Sequence, residues 1–174
     1  KDSNISKASD MQGKTIAFVE RATTAGYVFP LAWLKKEGMS DYSVFFKEYF
    51  FAGSHDAAID AVLNRKADIG AAKNTIYEYY LDNNPLAQKE LDIIASSVPV
   101  PSNGLCVMQT VSKETIAKLQ AALLGLDKNP AGLQVLKAFR ALKFVKTDAT
   151  DYGPVMDMAK EAGISLESYH YQNK

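Results

Sequence analysis

"KTIAFVERATTAGYVFPLAWLKKEG", residues 14–38, decides the fold. Its first seven residues are a short apolar run with β-branched and aromatic content, the mark of a buried strand over about 14–20. Tyr27, Leu31 and Leu34 then fall at helical spacing, and Gly38 is a natural stop. Between strand and helix lie Thr23, Thr24, Ala25 and Gly26. A helix start carries unpaired N–H groups and roughly half a positive charge, so small residues there let an anion approach. The same residues could serve only as a helix cap, with Thr24 as the capping side chain, and the stretch by itself leaves both readings open. Pro30 complicates both readings, since it falls past the first turn unless the regular helix starts late.

Outward from this stretch the alternation repeats. "YSVFFKEYFF" (42–51) reads as a second strand. Ser54 is an N-cap for a helix with Ile59, Val62 and Leu63 on one face. "ADIGAA" (67–72) is a small-residue strand, "TIYEYYLDN" a short helix ended at Asn84-Pro85, and "LDIIAS" (91–96) a fourth strand. Such alternation predicts an α/β fold with a doubly wound, mixed but mostly parallel sheet. The pattern breaks at "SSVPVPSNG" (96–104), where two prolines and a Ser-Asn-Gly turn suit a hinge. "LCVMQT" then reads as one more strand, followed by helices capped at Ser112 and Asn129 and a last helix closed by Gly163. The expected organisation is a complete lobe over 1–98, a hinge over 99–104 and a helix-rich segment over 105–174.

Composition narrows the function. The 174 residues hold 20 Lys and Arg against 20 Asp and Glu, a balance that argues against nucleic acid as partner. No apolar run reaches the roughly 18 residues that span a bilayer, and the first residues, "KDSNISKASD", are not a signal peptide. The single cysteine, Cys106, excludes an internal disulfide and a cysteine-based zinc site, and its apolar neighbours predict a buried, inert thiol. With His55 and His170 as the only histidines, a Ser-His-Asp arrangement would need Ser54, His55 and Asp56, sequence neighbours that cannot align as nucleophile, base and orienter. No catalytic residue, cofactor or metal is expected. His55 in the first turn of its helix opposes the dipole unless its imidazole is neutral or meets an anion. Two small-residue helix starts at one sheet edge, where α/β folds bind their ligands, are the arrangement that a shared anion site would need.

These same residues resemble a family. "KDSNISKASDMQGKTIAFVERATTAGYVFPLAWLKKEG", "FFAGSHDAAIDAVLNRKADIGAA" and the proline-rich crossover are similar, in order from about residue 1 to about 160, to periplasmic phosphonate, phosphite and phosphate-binding proteins of ABC importers. The matching motifs are a "D-S-x-I" lead-in, an "S-T-S-G-Y" phosph(on)ate loop, a "G-S-H-D" turn, an "A-D-x-G" strand and a "P-x-P-N-D" crossover. The resemblance implies a non-enzymatic, two-lobed protein closing on a small oxyanion outside the cytoplasm, lipid-anchored in a single-membrane bacterium, with a permease as partner. It places Thr23, Thr24 and Ala25 at the Ser-Thr-Ser positions beside Gly26, and puts Ser54 and His55 at the second turn. Asn103 stands where many members have aspartate, and Asn74 or Tyr77 near a further contact. Ala25 lacks a hydroxyl that the family has, and Asn103 lacks a charge that would favour a protonated ligand oxygen. The resemblance also implies a truncated chain, lacking most of a first lobe of roughly a hundred residues. Apolar helix faces after the hinge would then associate, a dimer being one form. A sensor domain on the same lobe, or an α/β enzyme acting on phosphorylated substrates, is the alternative function.

Overall fold

The computed structural model describes residues 3–168; His170 lies outside them. By its contacts the described chain divides into two units, one running to Val100 and resuming at Gly153, the other Pro101–Tyr152. The sequence grouped everything after 104 together, but the final helix belongs with the first unit, because its Met158 and Ala159 are buried in that unit's core.

The first unit is built on three parallel strands, β1 (Thr15–Phe18), β2 (Glu48–Phe51) and β3 (Ile69–Gly70), in the order β2-β1-β3. Thr15 pairs with Glu48 and Phe18 with Phe51, while Ile16 pairs with Ile69. The central strand is buried on both sides, as its unbroken apolar run requires. Ile16 and Phe18 face a core shared with α1 (Phe29–Lys36) and α8 (Gly153–Glu161). Ala17 and Val19 face α3 (His55–Leu63) through Ala58 and Ala61. Helices therefore cover both faces, and the chain is an α/β protein with a parallel sheet. Gly70 is small for a reason: a Cβ there would stand 2.9 Å from the Ala58 carbonyl oxygen, so glycine sets how closely α3 lies on the sheet.

Three expected strands are different. Residues 42–51 divide, because Asp41 accepts from the Ser43 N–H and caps a helical turn, α2 (Tyr42–Phe45), leaving only Glu48–Phe51 as strand. Residues 91–96 and 105–110 pair with no strand among the described residues, and residues 109–110 already turn. Cys106, in the second of these, is exposed and not buried.

Helices α4 (Asn74–Asn83) and α5 (Pro85–Glu90) follow β3. The second unit holds α6 (Lys113–Leu124), capped by Ser112, and α7 (Pro130–Ala138), whose first turn is capped by the Asn129 side chain on the Gly132 N–H at 2.8 Å. No helix among the described residues is long and apolar enough to cross a membrane.

Candidate functional site

The sheet brings three strand-to-helix junctions to one edge. At the end of β1 the carbonyls accept from residues just past the neighbouring strands: Ala17 from Ala71 at 3.0 Å, Phe18 from Ala52 at 2.8 Å and, one residue beyond the strand, Val19 from Gly53 at 3.0 Å. These bonds hold the carboxyl ends of the strands level, where α/β sheets bind ligands.

At the first junction the chain makes a wide π turn, Thr24–Val28, before the regular helix begins at Phe29 with Pro30 in its first turn. The late start is how the proline is accommodated. An α-helical bond from residue 30 would end on the Gly26 carbonyl; proline has no N–H to give, and that carbonyl accepts from Val19 at 3.1 Å. Gly26 is buried, and a Cβ on it would meet the Val19 Cβ at 2.4 Å and the Thr23 Oγ1 at 2.6 Å.

No side chain caps this turn. The Thr23 hydroxyl donates backward to the Glu20 carbonyl at 2.6 Å, and the Thr23 carbonyl accepts from Tyr27 and Val28, both at 3.1 Å. Among the described residues, the N–H groups of Thr24, Ala25 and Gly26 and the Thr24 hydroxyl have no hydrogen-bond partner. Thr24 is thus not a cap. Three adjacent donors and a hydroxyl are groups that could form a cradle for a negative charge.

The second junction carries Gly53, whose φ of 82° suits glycine, and then Ser54. Ser54 caps α3 by accepting from the Ala57 N–H at 3.1 Å. Half-buried His55 accepts at Nδ1 from the Lys73 N–H at 3.0 Å, across to the third junction. A neutral imidazole that accepts at Nδ1 carries its proton on Nε2, where it can donate. Burial first, and then the Lys73 ammonium, hold His55 below the ordinary histidine value, with Asp56 working the other way. The imidazole at the helix start is therefore neutral, which removes the conflict with the dipole.

Lys73 was not apparent from sequence. Its only signal was its place as the last residue before α4, the third helix start at this edge. Arg21 was also missed: its guanidinium carbon lies 4.9 Å from the Phe51 ring centroid and 5.6 Å from that of Tyr27. Of the remaining expected residues, Asn74 opens α4 and donates to Glu78 Oε1 at 3.3 Å. Tyr77 lies further along α4, with its phenol pushed up by burial and then by the Asp92 carboxylate, a poor neighbour for an anion. Asn103 belongs to the second unit, outside any helix or strand.

The class these features define is an α/β lobe with helix starts converging on one sheet edge. Residues 1–152 match the family described as ABC transporter, phosphonate, periplasmic substrate-binding protein, and the chain belongs to that family of binding proteins. One relative is the phosphate-import protein PhnD of Mycolicibacterium smegmatis, 27% identical over 155 residues, or 85% of this chain and 46% of the relative. Another is the probable ABC transporter phosphite binding protein PhnD1 of Prochlorococcus marinus, 25% identical over 91% of this chain and 55% of its own. The chain thus spans about half the length of these curated relatives. Among solved structures, a binding protein component of an ABC phosphonate transporter from Pseudomonas aeruginosa superposes with a TM-score of 0.80, over 93% of this chain and 55% of that one, at 22% identity. PhnD1 from Prochlorococcus marinus in complex with methylphosphonate gives 0.73, over 91% and 61%, also at 22% identity. At such identities the structural likeness establishes the fold.

Proposed function

We propose that this chain is the ligand-capturing part of an ABC importer's substrate-binding component, and that its ligand is a phosphorus oxyanion: a phosphonate, phosphite or phosphate. One observation carries the reading. The π turn leaves the N–H groups of Thr24, Ala25 and Gly26 and the Thr24 hydroxyl unfilled, at the edge where His55 is held in the tautomer that donates from Nε2. Donors without acceptors suit an ionised ligand oxygen. Relatives named for phosphate import and phosphite binding, and a neighbour crystallised with methylphosphonate, support the same ligand class. In this reading Ser54 sets the second helix start, while Asn74, Tyr77 and Asn103 are ligand residues by family resemblance alone.

The remaining assignments are part of the same proposal. The partner is a transporter permease, and the place of work is outside the cytoplasm, in the periplasm or on a lipid anchor. The exposed apolar helix faces of the second unit associate, with a second copy as occupant. Capture involves no covalent step, so the protein is not a catalyst.

A thermal-shift panel with phosphate, phosphite, methylphosphonate and sulfate tests the ligand. A ligand at a hundred times its Kd adds about 2.7 kcal/mol, which raises the midpoint by roughly 5–10 °C at this size. Thr24→Val should weaken the successful ligand by about 1–3 kcal/mol in calorimetry. No shift with any phosphorus oxyanion at millimolar concentration overturns the reading.

A further inference from the structure

One hydrogen bond joins the second and third junctions of the sheet edge, and a proton competes for it. Half-buried His55 opens α3, and its Nδ1 accepts from the Lys73 N–H at 3.0 Å. Lys73 is also the residue on which α4 starts: its carbonyl accepts from the Ile76 and Tyr77 N–H groups at 3.1 and 3.0 Å. The imidazole is thus a strut between two helix starts. Its grip depends on a lone pair. A protonated imidazole has two N–H donors and no acceptor, so an N–H already aimed at Nδ1 would lose its partner and face another donor.

The surroundings keep that lone pair free. Burial first, and then the Lys73 ammonium, disfavour the imidazolium, against the pull of Asp56. The elements packed most closely on α3 are β1, β3, α4 and α5, and neither strand carries a charged residue. On the helices, Asp60 accepts from the Tyr80 hydroxyl and Glu78 from Asn74, while Glu90 pairs with Arg65 at 3.9 Å. Asp82 and Lys89 complete the charged groups of α4 and α5. The Tyr77 phenol, pushed up by burial, and that of Tyr80, pushed up by its bond to Asp60, stay neutral where histidine titrates.

We propose that the Lys73 backbone N–H is the positioning group of His55, and that their bond is a proton-operated tie. It is closed while the imidazole is neutral and released when Nδ1 takes a proton from solvent. Release uncouples the start of α4 from that of α3, so the order of this sheet edge depends on pH. The tie is independent of whatever ligand the edge takes and is measured without one, so its failure leaves the oxyanion reading standing.

Nitrogen NMR of the imidazoles reads the tautomer directly, and His170→Gln leaves His55 as the only histidine of the chain. Above the His55 midpoint the expected form is the Nε2–H tautomer alone. Lys73→Met removes the ammonium but keeps the N–H, and should preserve that tautomer. Lys73→Pro removes the N–H at a backbone φ of −74°, which is proline's own, and both tautomers should then appear. Hydrogen exchange of the residue 73 amide, referred to its intrinsic rate, should lose protection by up to about tenfold for each pH unit below the midpoint. An Nδ1–H tautomer in the wild type, an unchanged tautomer in Lys73→Pro, or protection that stays flat through the midpoint overturns the proposal. If Lys73→Pro folds poorly, the wild-type exchange profile and Lys73→Met carry the test.

Discussion

Phe18 and Leu136 are both sealed from solvent, at 0% and 1% exposure, but their company differs. Around Phe18 stand the rings of Tyr27, Tyr42 and Phe51 at 5.3, 5.5 and 5.9 Å, with Phe46 and Tyr49 just beyond at 6.5 and 6.4 Å. Mostly edge-to-face rings of this kind add about 0.5–1.5 kcal/mol per pair to the apolar burial itself. Leu136 sits on α7 between Val135 and Phe139, which are 54% and 58% exposed, and not far in sequence from Leu142 at 92%. In the first unit the apolar residues find each other. In the second, many of them find solvent, and so little burial barely offsets the entropy of ordering the chain.

The sharpest way to break this comparison is to hollow out each centre. Phe18→Ala should cost about 3–5 kcal/mol in urea denaturation, and Leu136→Ala about 2, because its surroundings are already half open. Equal losses would mean that Leu136 has a core around it in solution. Gly26→Ala comes next. Its Cβ would overlap Val19, and the strain of about 1–3 kcal/mol should come with loss of phosphate binding, since the cradle has to shift. Intact phosphate binding in calorimetry would remove the π turn from the site.

A smaller effect follows from His55, whose folded-state value lies below the ordinary 6.5. The unfolded chain then binds the extra proton more readily, so stability is full above 6.5 and declines as pH falls through that value toward the folded one. His55→Gln should flatten this stretch of the stability profile; an unchanged slope assigns it to another group. The smallest effect is expected at Leu142, where replacement by serine should alter stability by no more than about 0.5 kcal/mol in a monomer. A loss above about 1 kcal/mol that grows with protein concentration would show that a second copy covers this face.

Much of the first unit was legible in sequence because its signals are local. The run "TIAF" is apolar on both sides, Ser54 occupies a cap position, and glycines stand at 26 and 70, where a Cβ would crowd its neighbours. Strand pairing is not local. "LDIIAS" and "LCVMQT" have the residues of strands, yet being a strand depends on a neighbour that a segment's own sequence does not name. Aspartate 41 misled in the opposite sense, since one capping side chain redirected four aromatic-rich residues into a helical turn. At the candidate site the small residues and His55 could be picked out, whereas the tautomer of His55 depends on the Lys73 N–H, 18 residues away. Arg21 gave no signal at all, because only folding brings Phe51 beneath it.

The bond from Val19 to the Gly26 carbonyl has a consequence for kinetics. A wide turn ordinarily has a tighter rival close in energy, reached by shifting each amide to the carbonyl one residue nearer. Here the amide that would make the shift at residue 30 does not exist, and the carbonyl it would seek is already taken by the strand. The wide form is thus favoured at residue 30, and under the proposed oxyanion reading a capture rate that rises linearly with ligand concentration is the expected sign of a turn that does not rearrange first.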